Sequence, residues 1–301
     1  MIGVLTDSTC DLPSELCKAN NIHVIPMHVF CGEQEFLDGV TIANNQFYSL
    51  LSGDEDKHPR TEPPSVDDFV NKYEEMAVEY DQIISIHVSS MVSATCKHAE
   101  EAVRRGKLQF FNKRFRAKKG FKEFGIHIVD SRSVSIGNGF LALIAAHMVK
   151  RGAAAEEIVQ RLQVLAPRLN VLLAPKNMIF LRRSKRVGAF KFLIANLLGI
   201  SPVLSFQDGN MDMYESVRGV DHAVDVMVDG IQNEIDLASS SIVGIAWSGT
   251  LKDDPIRKCT RAVRGQEVVE AQFVSQIGAT ITSHTGPETL AVAYIKKGTT
   301  S

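Results

Sequence analysis

The chain has 301 residues, 45% apolar and 23% charged, which allows a sizeable core and excludes wholesale disorder. With 33 basic and 35 acidic side chains the formal charge is -2, which argues against a protein that coats nucleic acid through a general positive field. No uncharged run reaches the roughly 20 residues that span a bilayer. The five cysteines show no CxxC or disulfide-framework spacing, and the start lacks a signal-peptide pattern, so a cytoplasmic protein is expected.

In chain order, Ile2 to Thr6 is a short apolar strand ending in the polar cluster Asp7-Ser8-Thr9-Cys10-Asp11, followed by a short helix from Pro13. Ile22 to Phe30 reads as a second strand. Helical spacing covers Ile42 to Ser52, then Val66 to Glu79 behind a capping Ser65. Gln82 to His87 is a third strand, closed by Ser89-Ser90, and helix resumes from Ser93 to Arg105. Ile126 to Val129 is a fourth strand, closed by Asp130-Ser131, before a helix from about Ile136 to Arg151. Strands alternating with helices predict an α/β domain with a mainly parallel sheet over 1–154. Three hydroxyl- and carboxylate-rich strand ends then face one crevice, where open parallel sheets collect ligands. Helix capping is the competing explanation for each of them.

Beyond a helix at Ala153 to Leu165 the rhythm changes. Short β-like stretches (171–173, 202–206, 211–215, 241–246, 291–295) lie among helices at Phe190 to Leu198, Gly219 to Asp236 and Pro255 to Arg264. A second, α+β domain over 155–301 is expected.

The charge sum hides an asymmetry. Arg104 to Lys122 carries nine basic residues and no acidic one. Removing those nine leaves 24 basic against 35 acidic, a body at -11 with one basic island. Its interleaved Leu108, Phe110, Phe111, Phe115 and Phe121 have the pattern of an amphipathic docking or membrane-surface element. A solvated linker is the plainer alternative.

No GxGxxG, Gly-rich GK[ST] loop, HExxH or GxSxG is present, so nucleotide-binding, zinc-peptidase and serine-elbow readings fail at the first test. Two segments stand out. Arg60-Thr61-Glu62-Pro63-Pro64-Ser65 is a proline-stiffened loop presenting Thr61. Ser283-His284-Thr285-Gly286-Pro287 places an imidazole among hydroxyls, a set suited to hydrogen-bonding a carboxylate.

These segments, taken together, resemble the DegV family of bacterial fatty-acid-binding proteins nearly end to end. Asp7-Ser8-Thr9-Cys10-Asp11-Leu12-Pro13 is similar to its DSxxDLP opening, and Leu37-Asp38-Gly39 with Phe47-Tyr48 to its D-G…FY stretch. Thr61 to Ser65 resembles TSxPS, Ser89 to Thr95 resembles SSxLSGT, and Val129 to Gly139 resembles VxDSxxxSxGxG. Ile277 to Leu290 is similar to the HTGPG segment, with Glu288 at its last glycine, while Ala94 and Ser184 stand at two other glycine positions.

The resemblance implies a two-domain fold, a parallel-sheet α/β domain and an α+β domain enclosing a lipid tunnel that lies largely in the second. It also implies a non-catalytic carrier whose one ligand is a long-chain fatty acid and which needs no metal or cofactor. A separate ATP-dependent fatty acid kinase would convert the bound acid to acyl phosphate for phospholipid synthesis. By position, Thr61, Ser93 and His284 would hold the carboxylate, with Ser89, Ser90, Asp130 and Ser131 behind them. Arg186 and Arg218 would meet phosphate or the kinase.

Tunnel candidates are Ile158, Leu162, Leu165, Leu172, Ile179, Phe180, Phe190, Leu193, Ile194, Leu197, Leu204, Phe273 and Ile277, although apolar lining and apolar packing look alike in sequence. Two other readings stay open: a serine hydrolase using Ser93 and His284, and a module docking to a membrane or a partner through its basic segment.

Overall fold

The computed structural model describes residues 1–52, 58–119, 124–184, 201–236, 242–249, 253–264 and 271–297. Phe190, Leu193, Ile194 and Leu197, the expected helix carrying them, Arg186, and 120–122 of the basic run lie outside these residues.

The N-terminal half is built on β1 (Ile2–Asp7), β2 (Ile22–Ile25), β6 (Gln82–His87) and β7 (Gly125–Asp130). They form an all-parallel sheet in the order β2-β1-β6-β7. β1 is buried almost throughout because both faces are covered, which is why it reads as a continuous apolar run. The expected single strand from Ile22 to Phe30 is two. Pro26 has no N–H for the ladder, so the chain leaves the first sheet after Ile25 and re-enters a second one as β3 (His28–Cys31). There β3 pairs antiparallel with β4 (Gln34–Leu37) and β5 (Arg60–Glu62).

The helices of this half are α1 (Ser14–Ala19), α2 (Asn44–Ser52), α3 (Val66–Met76), α4 (Thr95–Arg116) and α5 (Ile136–Lys150). Ser65 caps α3 in a reciprocal box with Asp68. The helix predicted to end near Arg105 runs on through the basic segment to Arg116.

The rest of the chain adds α6 (Ala155–Leu165), β8 (Leu169–Ala174), α7 (Ile179–Arg183), β9 (Ser201–Gln207), β10 (Asn210–Val217) and α8 (Val220–Glu234). It closes with β11 (Ile242–Trp247), α9 (Asp253–Arg264), β12 (Ala271–Gln276), α10 (Ala279–Thr285) and β13 (Leu290–Ile295). Its six strands make one sheet in the order β10-β9-β8-β13-β11-β12, in which only β11 and β12 are parallel.

α5 joins the two halves. It is apolar on nearly all sides and packs on β1 and β6 as well as β8, β11 and β13, so the largest hydrophobic cluster runs through both sheets. Two glycines permit this. A Cβ on Gly139 would lie 2.4 Å from the Cys10 carbonyl oxygen, and one on Gly137 would lie 2.5 Å from Val171 Cγ2. The GxG of the sequence is thus a close-approach device, set where the helix meets both halves.

Candidate fatty-acid head-group site

Thr61 is carried by β5, an edge strand paired with β3 through Val29, and is not the loop residue expected from its prolines. The strand pleat explains its role: Arg60 and Glu62 point outwards while Thr61 turns in and is buried. The side chain it meets is His284, with Thr61 Oγ1 2.8 Å from Nε2.

His284 lies in the last turn of α10. Gly286 ends that helix at φ 82, and a Cβ there would sit 2.6 Å from the Phe180 ring. The left-handed turn and the aromatic contact both call for glycine.

The start of α10 is held by the other half of the molecule. Asp11 accepts from Gly278 N at 2.7 Å and Asp38 from Ala279 N and Thr280 N at 3.0 and 3.2 Å. Both carboxyl groups are buried, and burial pushes each above the ordinary carboxylate range. Their motifs, DSxxDLP and the D-G pair, therefore act at the site by fixing the helix that carries His284.

His284 stands between two cavities. One is a small cavity whose exposed wall is almost wholly apolar. The N-terminal half supplies Met27, Val88, Val92 and Val134 to it, and β8, α7, β9 and β10 supply Leu173, Leu181, Phe206 and Met211. Its polar wall consists of Thr9, Ser93 and the α10 residues Thr280, His284 and Thr285. The other cavity is an open cleft lined by His58, Arg60, Thr61, Arg183, Ser283 and His284, among others. Among the described residues, no acidic side chain lines it. An apolar cavity and a basic cleft thus share one imidazole.

Ser93 lines the apolar cavity, and its Oγ lies 2.8 Å from Thr95 Oγ1. The structure therefore brings His284 together with Thr61 by a direct hydrogen bond, and with Ser93 by a common cavity. The four residues expected behind them do something else. Ser90 donates from its N and Oγ to Asp130, Ser89 N donates to Ser133 O at 2.9 Å, and Ser131 Oγ donates to Ser133 O at 3.2 Å. These contacts tie the ends of β6 and β7 together. Arg218 is exposed in the turn between β10 and α8 and lines neither cavity. The capping explanation for the strand ends holds at Asp7 alone, which accepts from Thr9 N.

Of the tunnel candidates among the described residues, none lines the apolar cavity. Ile158, Leu162 and Leu165 are core residues of α6, and Leu172 belongs to a separate cluster with α8 residues such as Val224 and Met227. The lining residue is its neighbour Leu173, because successive strand side chains point to opposite faces. Strand parity, had β8 been phased, was the available signal. Val92 lies inside the Ser89 to Thr95 motif, at its apolar position, whereas Met27 belongs to none of the motifs.

Two glycine replacements keep ordinary backbone: Ala94 at φ -82 and Ser184 at φ -63. Glu288 retains the left-handed geometry that glycine would favour, at φ 59. Its N donates to Ser248 O at 2.9 Å and its carboxylate pairs with Lys176.

The family described as "Uncharacterised protein, DegV family" matches residues 1–297. The chain is 29% identical over 297 residues to a DegV domain-containing protein of Caldanaerobacter subterraneus subsp. tengcongensis, covering 98% of this chain and 99% of that one. Among solved structures it is similar to a fatty-acid-binding DegV family protein from Thermus thermophilus, at 26% identity and a TM-score of 0.81, with 98% and 99% of the two chains covered. The fatty acid binding protein DegV of Bacillus subtilis, 24% identical, shares the fold at a TM-score of 0.82 over 98% and 99% of the chains.

Proposed function

The chain belongs to the DegV family, and on that premise we propose that it binds a long-chain fatty acid and presents the carboxylate to a separate ATP-dependent kinase, which forms the acyl phosphate. The observation that carries this reading is the position of His284, which lines both an apolar cavity and a neighbouring cleft that carries arginines. An acyl chain in the cavity gains roughly 0.8 kcal/mol per methylene removed from water, on the order of 10 kcal/mol for a long chain before ordering costs.

The head group then needs partners to offset its desolvation. The Thr61 hydroxyl and the His284 ring, 2.8 Å apart, supply hydrogen-bonding groups for the carboxylate, and Ser93 supplies a further hydroxyl at the cavity wall. In this reading residues 1–154 and 155–301 act as two domains with the ligand between them, and the protein is a carrier that performs no chemistry. The cleft behind His284 gives a kinase its approach, and its arginines suit a phosphoryl group.

Mass spectrometry of lipid released from natively purified protein, followed by titration of stripped protein with palmitate and oleate, tests the binding step. One acyl chain per protein is expected. No recovered acyl chain together with no binding on titration overturns the reading. The transfer step is tested by adding a fatty acid kinase and ATP to loaded protein and trapping acyl phosphate with hydroxylamine. Hydroxamate is expected only when the kinase is present, and hydroxamate from the protein with ATP alone would overturn the carrier role.

A further inference from the structure

Among the described residues, the basic run lines neither cavity, and the helix that carries it shows how it is displayed. α4 buries Ala102, Gly106, Phe110 and Arg114, a four-residue repeat that fixes one face inwards. Phe110 meets Tyr73 and Phe124 edge-on. Arg114 donates to the carbonyls of Ala77 and Tyr80 at 2.9 and 2.8 Å and pairs with Asp81 at 3.0 Å. The helix is therefore anchored down to its last turn.

The opposite face carries Leu108, Phe111 and Phe115, which are 78%, 51% and 61% exposed. At 3.6 residues per turn they fall within an arc of about 60°, as one stripe, and the Phe111 and Phe115 rings stack at 6.3 Å. Arg104, Arg105 and Lys113 are paired with Glu101, Asp67 and Glu74. Lys107, Arg116 and Lys118 are exposed and make no ion pair among the described residues.

We propose that this face of α4 docks the protein on an anionic lipid surface, with Leu108, Phe111 and Phe115 entering the headgroup–acyl boundary and Lys107, Arg116 and Lys118 meeting headgroup phosphates. Large apolar side chains projecting from a convex helix and rimmed by cations match a deformable, negatively charged partner. The charge asymmetry sets the orientation: a body at -11 is repelled by such a surface while this face is drawn to it. The inference stands apart from the ligand reading, since it uses no residue of the cavity.

Flotation of the full chain with vesicles of phosphatidylcholine alone, and with phosphatidylglycerol added, tests it. The protein floats with the anionic vesicles only, and added salt weakens the association. Replacing Leu108, Phe111 and Phe115 together by serine lowers association at least about tenfold. Replacing Lys107, Arg116 and Lys118 together by glutamine lowers it on the order of a hundredfold. Both triple variants keep the wild-type circular dichroism and palmitate titration, because all six positions are exposed. No flotation of the wild-type protein, or flotation unchanged in both variants, overturns the proposal. So does an undiminished stripe variant that also binds duplex DNA as tightly as vesicles, since the run would then be a plain phosphate-binding patch.

Discussion

His87 and His284 occupy regions built from the same residue types with opposite accessibility. His87 Nδ1 lies 3.0 Å from Asp7 Oδ2, its Nε2 2.7 Å from Ser85 Oγ, and Ser85 Oγ 2.8 Å from Tyr73 OH. A carboxylate only accepts, so Nδ1 donates to Asp7. An Asp–His–Ser order of this kind suggests a hydrolase, but all three side chains are fully buried, and Phe69 lies edge-on to the ring at 5.0 Å. His284, with Thr61 as its hydrogen-bonded neighbour, borders two open spaces. Access, rather than the inventory of hydroxyls and imidazoles, separates a site from a scaffold.

The largest effect is expected at Asp7. Asp7→Ala removes the acceptor of Thr9 N, Thr9 Oγ1, His87 Nδ1 and Val88 N, all buried, and costs about 3–5 kcal/mol in urea unfolding. Fatty-acid affinity of the folded fraction falls less than stability does, although Thr9 and Val88 also line the apolar cavity. Affinity lost at an unchanged urea midpoint would break the contrast.

Asp11 sharpens it through pH. A carboxyl group whose folded pKa is raised binds its proton more tightly folded than unfolded. The contribution of Asp11 to stability is therefore greatest at low pH and declines as pH rises from the ordinary carboxylate value of about 4 through the folded pKa. The decline is up to about 1.4 kcal/mol per pH unit for one group, and Asp11→Asn makes it shallower. Urea midpoints measured upwards from about pH 4 check the slope. An identical slope in the variant would place the charge elsewhere.

At the open histidine the expected change is in binding. His284→Ala weakens palmitate binding about tenfold, the worth of a charge-assisted hydrogen bond, and lowers stability by no more than about 1 kcal/mol. Calorimetric titration beside thermal melting separates the two, and a large melting shift with unchanged affinity would class His284 with His87. The smallest effect belongs to Ser90→Ala. Ser90 is exposed and bonded to Asp130, so stability moves by about 0.5 kcal/mol and affinity stays constant. A loss of affinity would return Ser90 to the head-group site.

Much of the fold was legible. β1, β6 and β7 show as apolar runs with polar ends, and Ser65 announces α3, because burial on both sheet faces and helix capping are local demands that write themselves into consecutive residues. The basic island was equally plain. Its local conformation was less so, since α4 continues through Arg104 to Arg116 on the strength of Gly106, Phe110 and Arg114 packing inwards. The cavity lining was not legible: Leu172 and Leu173 are indistinguishable by type, and strand phase alone separates them.

By itself the sequence determined the family and the alternation of strands and helices, since ordered motifs and periodicity are properties of the chain read along its length. The charge sum of -2 also contained, without displaying it, the contrast between one basic segment and an acidic body. The tertiary structure alone decided which residues meet. Thr61 and His284 are 223 positions apart and come within 2.8 Å because β3 aligns one and two buried aspartates hold the helix of the other. It also decided which aromatic side chains of the basic run face solvent and which are buried. Pairing across such distances depends on the packing of whole elements, which leaves no mark on the spacing of neighbouring residues.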